Sequence, residues 1–562
     1  MDQDQTPILS PENPEEPVEE IAAPESVKAP ERKLQFTFNR PLAVDMVCGG
    51  VFAFTAALLV YYIFFASTGV ISADAVDSLM WGNASYEAGG LLNQNFNYAC
   101  LLPFGGNLIM WPMVAIFGLS LTAQHVGMFL FTALLFGSLF LMLRFAGWKW
   151  RWNLLCVSAV ILTLCGSAKL REIFFEHIIY YSLGAFFSMV LLAVAFKVFT
   201  LLERQKPLSR LIPLYVAAFL WCLLTATNQL TALTLFHIPV LGAFVLERFL
   251  HFKTGLPKRE KNGGLLLLAA AVLGTGAGYF LGDILKTGLT AGYESAYSSL
   301  SPPGDWYTNF TSVFTNWPTL LGVGTKDWVK IMSGDGIVML LTAVFCLLLV
   351  LLPAAALLRY RQMDRASRVL ILFHWLTAAF VMMGVTFGKL SGADWRLSPI
   401  VFTSVLASFV LLRHVWRTKK RRLAALAAVP MAAVMILNFF QVAQMAPAPD
   451  PNAPLFRTAR LLEEQNLTYG YATFWNANVV TVISASKVKV RNVTIDDYGI
   501  RPYDYQTEDR WYQDRPGQDK YFLLMDAGEY GMMEKSDPDL LKSAAVEPLG
   551  GYTLAVFDHN IF

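Results

Sequence analysis

Along most of this chain, hydrophobic residues do not alternate with polar ones but run together. Apolar runs of about 17–25 residues are long enough to cross the hydrocarbon core of a bilayer as helices. Such runs fall near 42–68, 122–145, 153–168, 177–201, 211–228, 229–248, 263–283, 336–358, 369–388, 398–414 and 423–443. They predict a mainly α fold, a polytopic transmembrane helical bundle of about eleven spans over 41–443. The third run is short, and the fifth and sixth abut at 228/229. Residues 107–120 are apolar but interrupted by Pro112 and Gly118, which predicts a re-entrant or interfacial piece.

The pattern changes at both ends. Residues 1–31 are rich in Pro and Glu without apolar periodicity, so residues 1–40 are expected to be a disordered cytoplasmic tail. A signal peptide is not expected, because no basic start leads directly into a short apolar core. At the other end, 444–454 contains MAPAPDPNAP, a stiff Pro-rich linker. Residues 455–562 then open with a helical pattern, Leu455–Leu467. Short apolar runs follow at Tyr469–Phe474, Tyr521–Met525 and Thr553–Phe557, with polar and Gly turns between them. That is the signature of a small α/β domain.

Composition agrees with the membrane reading. Hydrophobic residues make up 55% and charged residues 15%, with mean hydropathy +0.45. A soluble protein carries about 25% charged residues. Net charge is +2 and says little, because the charges are sorted by side. The basic loops are Arg144/Lys149/Arg151, Arg204/Lys206/Arg210, Arg248 to Lys261, Arg359 to Arg368 and Arg413 to Arg422. They alternate along the spans and hold about three times the basic residues of the opposite loops. This places the N-terminus in the cytoplasm and the C-terminal domain outside, in a multi-pass cell-membrane protein. Two long outer loops result, 69–106 and 284–335. The six cysteines are scattered and show no metal-ligand spacing. Cys100 and Cys165 both approach the outer face, as a bonded pair or as two small apolar fillers.

Charge inside a bilayer is costly and usually functional. Here the middles of the spans are nearly free of it, and ionisable residues gather at the outer ends. A pump or ion-coupled transporter would more often keep a carboxylate near the midplane. Asp74-Ala-Val-Asp77 follows the first span and puts two carboxylates on one helical face. They suit a general base or a metal ligand, or a pair favoured by the helix-start dipole. Glu87 lies in the same loop, which has no Lys or Arg. The segment KLREIFFEHIIYYS forms a second cluster. Its Lys169 and Arg171 could hold a phosphate, and its Glu172, Glu176 and His177 could orient substrate or bind a divalent ion. The alternative is a set of snorkelling and capping residues. The outer loop GKLSGADWRLSP carries Lys389 and Arg396, cations that an interfacial lipid phosphate would explain. Tyr293, Tyr297, Trp306, Tyr307, Trp317 and Trp328 suit sugar stacking or an interfacial aromatic belt. GVGTKDW at 322–328 is not a nucleotide phosphate loop, so neither ATP nor a nucleotide sugar is supported, and no nucleic acid partner is expected.

Taken together, these motifs resemble the GT-C superfamily of integral-membrane glycosyltransferases, in its protein-mannosyltransferase and aminoarabinose-transferase branch. The resemblance rests on the acid after the first span, the long first outer loop and the late Arg396-Leu397-Ser398-Pro399 with Trp395 before it. The stretch GYATFWNANVVTVIS is similar to C-terminal tails of bacterial members. It implies a polyprenyl-phosphate sugar donor in the bilayer, an inverting displacement and an extracytoplasmic acceptor, whether envelope glycan, lipid or protein. Asp74 would be the base, Lys389 and Arg396 would hold the leaving phosphate, and Glu172 would orient the acceptor or a divalent ion. Asp-Ala-Val-Asp stands where many relatives have adjacent Asp-Glu. Asp77 therefore stays open as the base, and so does dependence on a divalent metal. A transporter or lipid flippase, or a non-catalytic envelope-assembly scaffold, are the competing classes.

Overall fold

The computed structural model describes residues 40–250, 257–289, 299–324, 328–389 and 392–562. The expected tail over 1–39 and the aromatic residues Tyr293 and Tyr297 lie outside the described residues. The chain divides into a short unit, Met1–Val44, and a unit Asp45–Phe562. Of the first, only the start of a helix is described. The bundle and the C-terminal domain both belong to the second.

Helix α1 (Arg40–Phe64) leads into the first long loop. That loop folds as α2 (Asp77–Ala88), the two-residue strand β1 (Phe96–Asn97) and α3 (Asn107–Phe117). Then come α4 (Leu121–Phe145), α5 (Trp150–Leu164), α6 (Tyr180–Glu203), α7 (Ile212–Ala226), α8 (Ile238–Leu250) and α9 (Lys258–Lys286). The bundle continues with α10 (Trp306–Leu320), α11 (Gly334–Leu358), α12 (Arg365–Phe387), α13 (Ser398–Arg417) and α14 (Arg421–Ala443). Among the described residues, ten helices with their flanking turns are long and apolar enough to cross a membrane. These are α1, α4, α6 to α9 and α11 to α14.

The predicted third span is the exception. It forms α5, only 15 residues, or about 22 Å, against a hydrocarbon core of about 30 Å. Ser167 stops it by capping a new turn, its Oγ accepting from Leu170 N at 3.2 Å. A π turn over Glu172–Glu176 comes next. Gln124, at the start of α4, bonds to the end of that turn. So α5 and the turns after it together return the chain to the face on which α4 began. The third predicted run is thus a short helix followed by a capped turn and a π turn.

Packing between helices follows local chemistry. Gly274, Gly278 and Gly282, spaced four apart on α9, face the carbonyls of Phe219, Leu223 and Thr227, where a Cβ would collide. Small residues at this spacing let membrane helices approach closely. At the end of the bundle rich in Lys and Arg, Arg413 pairs with Asp364 at 3.2 Å and Arg368 with Glu247 at 2.6 Å. All six cysteines are buried and none forms a disulfide, so Cys100 and Cys165 are not a bonded pair.

After the linker come α15 (Pro454–Glu464), β2 (Tyr469–Thr473), α16 (Phe474–Ile483), β3 (Lys489–Asp496), β4 (Gly499–Pro502), β5 (Thr507–Glu508), β6 (Tyr521–Met525), α17 (Ala527–Ser536), β7 (Ala545–Leu549) and β8 (Tyr552–Phe557). Six strands form one sheet in the order β4-β3-β2-β6-β8-β7, with β2 parallel to β3 and β6. Ala459 and Leu462 of α15 and Ala477 and Val480 of α16 cover one face, against Ala472, Val490, Phe522 and Leu524. The period-2 alternation of these strands sends the other residues, Tyr469, Tyr471 and Arg491 among them, to the opposite face. Strand β5 leaves the sheet and pairs antiparallel with β1, Phe96 opposite Glu508 and Asn97 opposite Thr507. The C-terminal domain is thereby stitched to the first long loop.

Candidate active site

Asp74 begins a single 3-10 turn, Asp74–Val76, and Asp77 begins α2 directly after it. Lys169 reaches across from the turn that follows α5. Its Nζ donates to Glu172 Oε1 at 2.6 Å and lies 3.8 Å from Asp74 Oδ2. The same Nζ sits 5.0 Å from the centroid of the Trp395 ring. Three segments distant in sequence therefore meet at one ammonium group: the Asp74 turn, the 169–176 turns and the loop before α13.

The carboxylates there differ in environment. Asp74 is about one-third exposed (32%). Burial raises its pKa and Lys169 opposes the shift. Asp77 is buried, and its Oδ1 accepts no hydrogen bond from the described residues. Burial, then the charge of Asp74, push its carboxyl well above the ordinary range, and Glu172 adds to this while the Gln506 amide works against it. Both effects favour the neutral form of Asp77, while Asp74 is the more accessible acid. Burial also raises Glu172, and Lys169 counters.

Glu176 and His177 lie behind this cluster. Glu176 is buried and accepts a hydrogen bond from the Tyr62 hydroxyl. Burial lifts its pKa to about 8, against the Tyr62 hydrogen bond. His177 is buried too, held neutral with a pKa lowered to about 3 by burial and by Lys169. Arg171 points inward, its Nη1 donating to Cys165 O at 2.8 Å. Gln124 Nε2 donates to Ala75 O at 2.7 Å and to Glu176 O at 2.6 Å, and so clamps the two acidic turns together. A carboxyl whose pKa is raised in the folded state favours folding at low pH and loses that contribution as pH rises through the folded value. For Glu176 the window runs from the ordinary 4.5 to about 8. Thermal unfolding of the wild type should therefore shift to lower temperature by a few degrees across it. Glu176→Gln, neutral throughout and still able to accept from Tyr62, should flatten the slope near pH 8.

Beside the carboxylates lies a cavity of about 550 Å³. Its walls are mostly apolar, from α6, the turns that precede α8, and α12, with Trp306 at one side. Tyr180, Tyr181 and Arg396 form its polar end. Arg396 is buried and donates from Nη1 to the Tyr181 hydroxyl at 3.3 Å. Trp395 and Arg396 are consecutive: the first covers Lys169 in the carboxylate cluster, the second lines the cavity.

The remaining candidates stand apart. Glu87 sits at the far end of α2, where it pairs with Arg510 at 3.0 Å and accepts from Asn83 Nδ2 at 3.0 Å. The exposed Lys389 donates its backbone N–H to Ser299 O at 2.9 Å. Trp317 donates to the Cys346 carbonyl, while Tyr307 and Trp328 are exposed. Among the described residues no three His, Cys, Asp or Glu side chains converge as a metal-ligand set. Between Asp74 and Glu172 the cation is Lys169.

Two site residues escaped sequence reasoning. Gln124 had a signal: it is a polar amide at the end of an apolar run. Gln506 had none. It adopts φ +59°, is fully buried, and accepts from Trp81 Nε1 at 2.6 Å beside Asp77.

No protein-family model matches the sequence, and no curated protein matches it. Among solved structures, ArnT from Cupriavidus metallidurans in the apo state aligns over 91% of this chain and 98% of its own, with TM-score 0.51 and 13% identity. The same protein bound to undecaprenyl phosphate aligns over 90% and 98%, with TM-score 0.52 and 13% identity. The Archaeoglobus fulgidus oligosaccharyltransferase aligns over 91% and 73%, with TM-score 0.47 and 12% identity. The chain is a multi-pass membrane protein, and its fold is that of ArnT.

Proposed function

We propose that this protein is a glycosyltransferase that moves a sugar from a polyprenyl-phosphate donor to an acceptor hydroxyl on the extracytoplasmic side. The observation that carries this reading is the joint at Trp395–Arg396, where an apolar cavity with a buried arginine abuts a carboxylate cluster. Such a donor has the same two parts, an apolar tail that must stay in lipid and a phosphate at the head-group level. The likeness to an ArnT structure bound to undecaprenyl phosphate supports the choice of lipid. The basic residues of alternate loops support an outward-facing site.

In the reaction, the acceptor oxygen attacks the anomeric carbon as the bond from that carbon to the phosphate oxygen breaks. The bonding pair leaves with the polyprenyl phosphate, and the configuration inverts. Asp74, ionised and accessible, takes the hydroxyl proton. Arg396, buried at the polar end of a largely apolar cavity, meets the charge that develops on the phosphate. Asp77 stays protonated and keeps a second negative charge away from the site. Lys169 holds Asp74 and Glu172 in place, and Glu172 orients the acceptor.

The test is purified protein in nanodiscs with polyprenyl phosphate carrying a labelled sugar, set against a panel of envelope glycans, lipids and peptides. The expected result is label on one acceptor class with free polyprenyl phosphate released in equal amount. Movement of the intact donor across proteoliposomes, with no bond broken, would replace this reading with a flippase.

A further inference from the structure

A second polar cleft lies at the junction of the C-terminal domain with the first loop. It has a volume of about 250 Å³, and Asn83, Glu87, Leu119, Ser486, Lys489 and Arg491 help to line it. Glu87 lies ten residues beyond Asp77 on α2, about 15 Å along the helix. The cleft is thus separate from the carboxylate cluster.

Its unusual member is Arg491. The guanidinium is 5% exposed and stacks 3.8 Å from the centre of the Trp511 ring. Its Nε finds no acceptor, and no carboxylate of the described residues pairs with it. The other deeply buried arginines, Arg171, Arg396 and Arg413, each donate to an acceptor. A buried cation without a counter-ion is costly. Stacking on an indole leaves the in-plane N–H fork free, and a fork suits phosphate oxygens. Lys489 lies two residues earlier on β3, hence on the same face. Burial holds its ammonium below the usual range, and so do the charges of Arg491 and Arg515. An anion between them would relieve that repulsion. The charge of Glu87 opposes that shift, but Arg510 and Asn83 already engage its carboxylate.

The cleft opens beside the end of α3. There Ile116 and Phe117 are 67% and 41% exposed, and Ala115, Gly118 and Leu119 continue into the cleft wall. Bare apolar side chains next to a cationic pocket match an acyl chain next to a head group.

We propose that this cleft binds the phosphate of an anionic phospholipid, with Arg491 as the buried fork and Lys489 as the outer cation. The site is independent of the transfer reaction, so Asp74→Asn should leave it intact. Native mass spectrometry of the full chain, titrated with phosphatidylglycerol or phosphatidylcholine, tests it. One phosphatidylglycerol should be retained in preference to phosphatidylcholine. Lys489→Met and Arg491→Met should each weaken retention about tenfold. Lys487→Met should not, since Lys487 pairs with Glu463 at 2.9 Å outside the cleft. If Arg491→Met misfolds, the exposed Lys489 still supplies the test. Equal retention of both lipids, or no loss in the Lys489 variant, overturns the proposal. Inorganic phosphate that binds with the same dependence on Lys489, while phosphatidylglycerol does not, would overturn the lipid and leave a small-anion site.

Discussion

Asp74→Asn is expected to lower sugar transfer by about 10²–10⁴-fold, the span that a positioned general base contributes. The protein should stay folded, because the Asp74 side chain is partly exposed and Lys169 still bonds Glu172. Asp77→Asn should cost far less, about tenfold or under, because an amide resembles the neutral acid that burial and Asp74 already enforce. The pH profile separates the two roles. A base works only when deprotonated, so activity falls as pH drops through the Asp74 pKa. Burial sets that pKa above the ordinary 3.8. The acid limb should therefore begin at a higher pH than an unperturbed aspartate gives. It should persist in Asp77→Asn and vanish from the residual rate of Asp74→Asn. If Asp74→Asn kept more than a third of wild-type activity, Asp74 would not be the base.

The second large effect is expected at Arg396. Arg396→Ala removes a buried cation from the polar end of the cavity and leaves Tyr181 without its donor. A loss of about 10²–10³-fold in kcat/KM is expected, since it removes the cation that meets the leaving group's charge. Arg396→Lys should recover only part, because a point charge does not reproduce the planar fork. Both kcat and KM for the donor should change if Arg396 binds the phosphate and also meets its developing charge. Lys389→Ala should stay within about fivefold, since exposed charges interact weakly through solvent. A larger effect for Lys389 than for Arg396 would reverse their roles.

Much of the bundle was legible in the sequence because bilayer thickness sets a length that a run of apolar residues either meets or fails. Asp74, Lys169 and Arg396 were legible for a related reason: charges at span ends stand out against apolar neighbours. What stayed hidden was pairing over distance. The strands at 96–97 and 507–508 hold two residues each, too short for a period to be seen. Glu87 read as a candidate in an acidic loop, but its partner, Arg510, lies more than four hundred residues away. The short α5 showed as a short third run, but the capped turn and the π turn after it did not. Which of two carboxylates is neutral depends on burial, a property of the assembled site that spacing does not carry.

The contact of Gln506 with Trp81 joins residues 425 positions apart. At ribosomal speeds of about 5–20 residues per second, roughly 20–85 s separate the synthesis of the two. During that interval Asp74 and Asp77 already exist, but the wall beside Asp77 does not. A nascent chain therefore passes through a long stage with acids in place and an open, wet pocket. Chains truncated before Thr507 would stay at that stage, membrane-inserted but lacking the β1–β5 seam. The seam thus ties the wall beside Asp77 to the synthesis of a segment more than four hundred residues downstream.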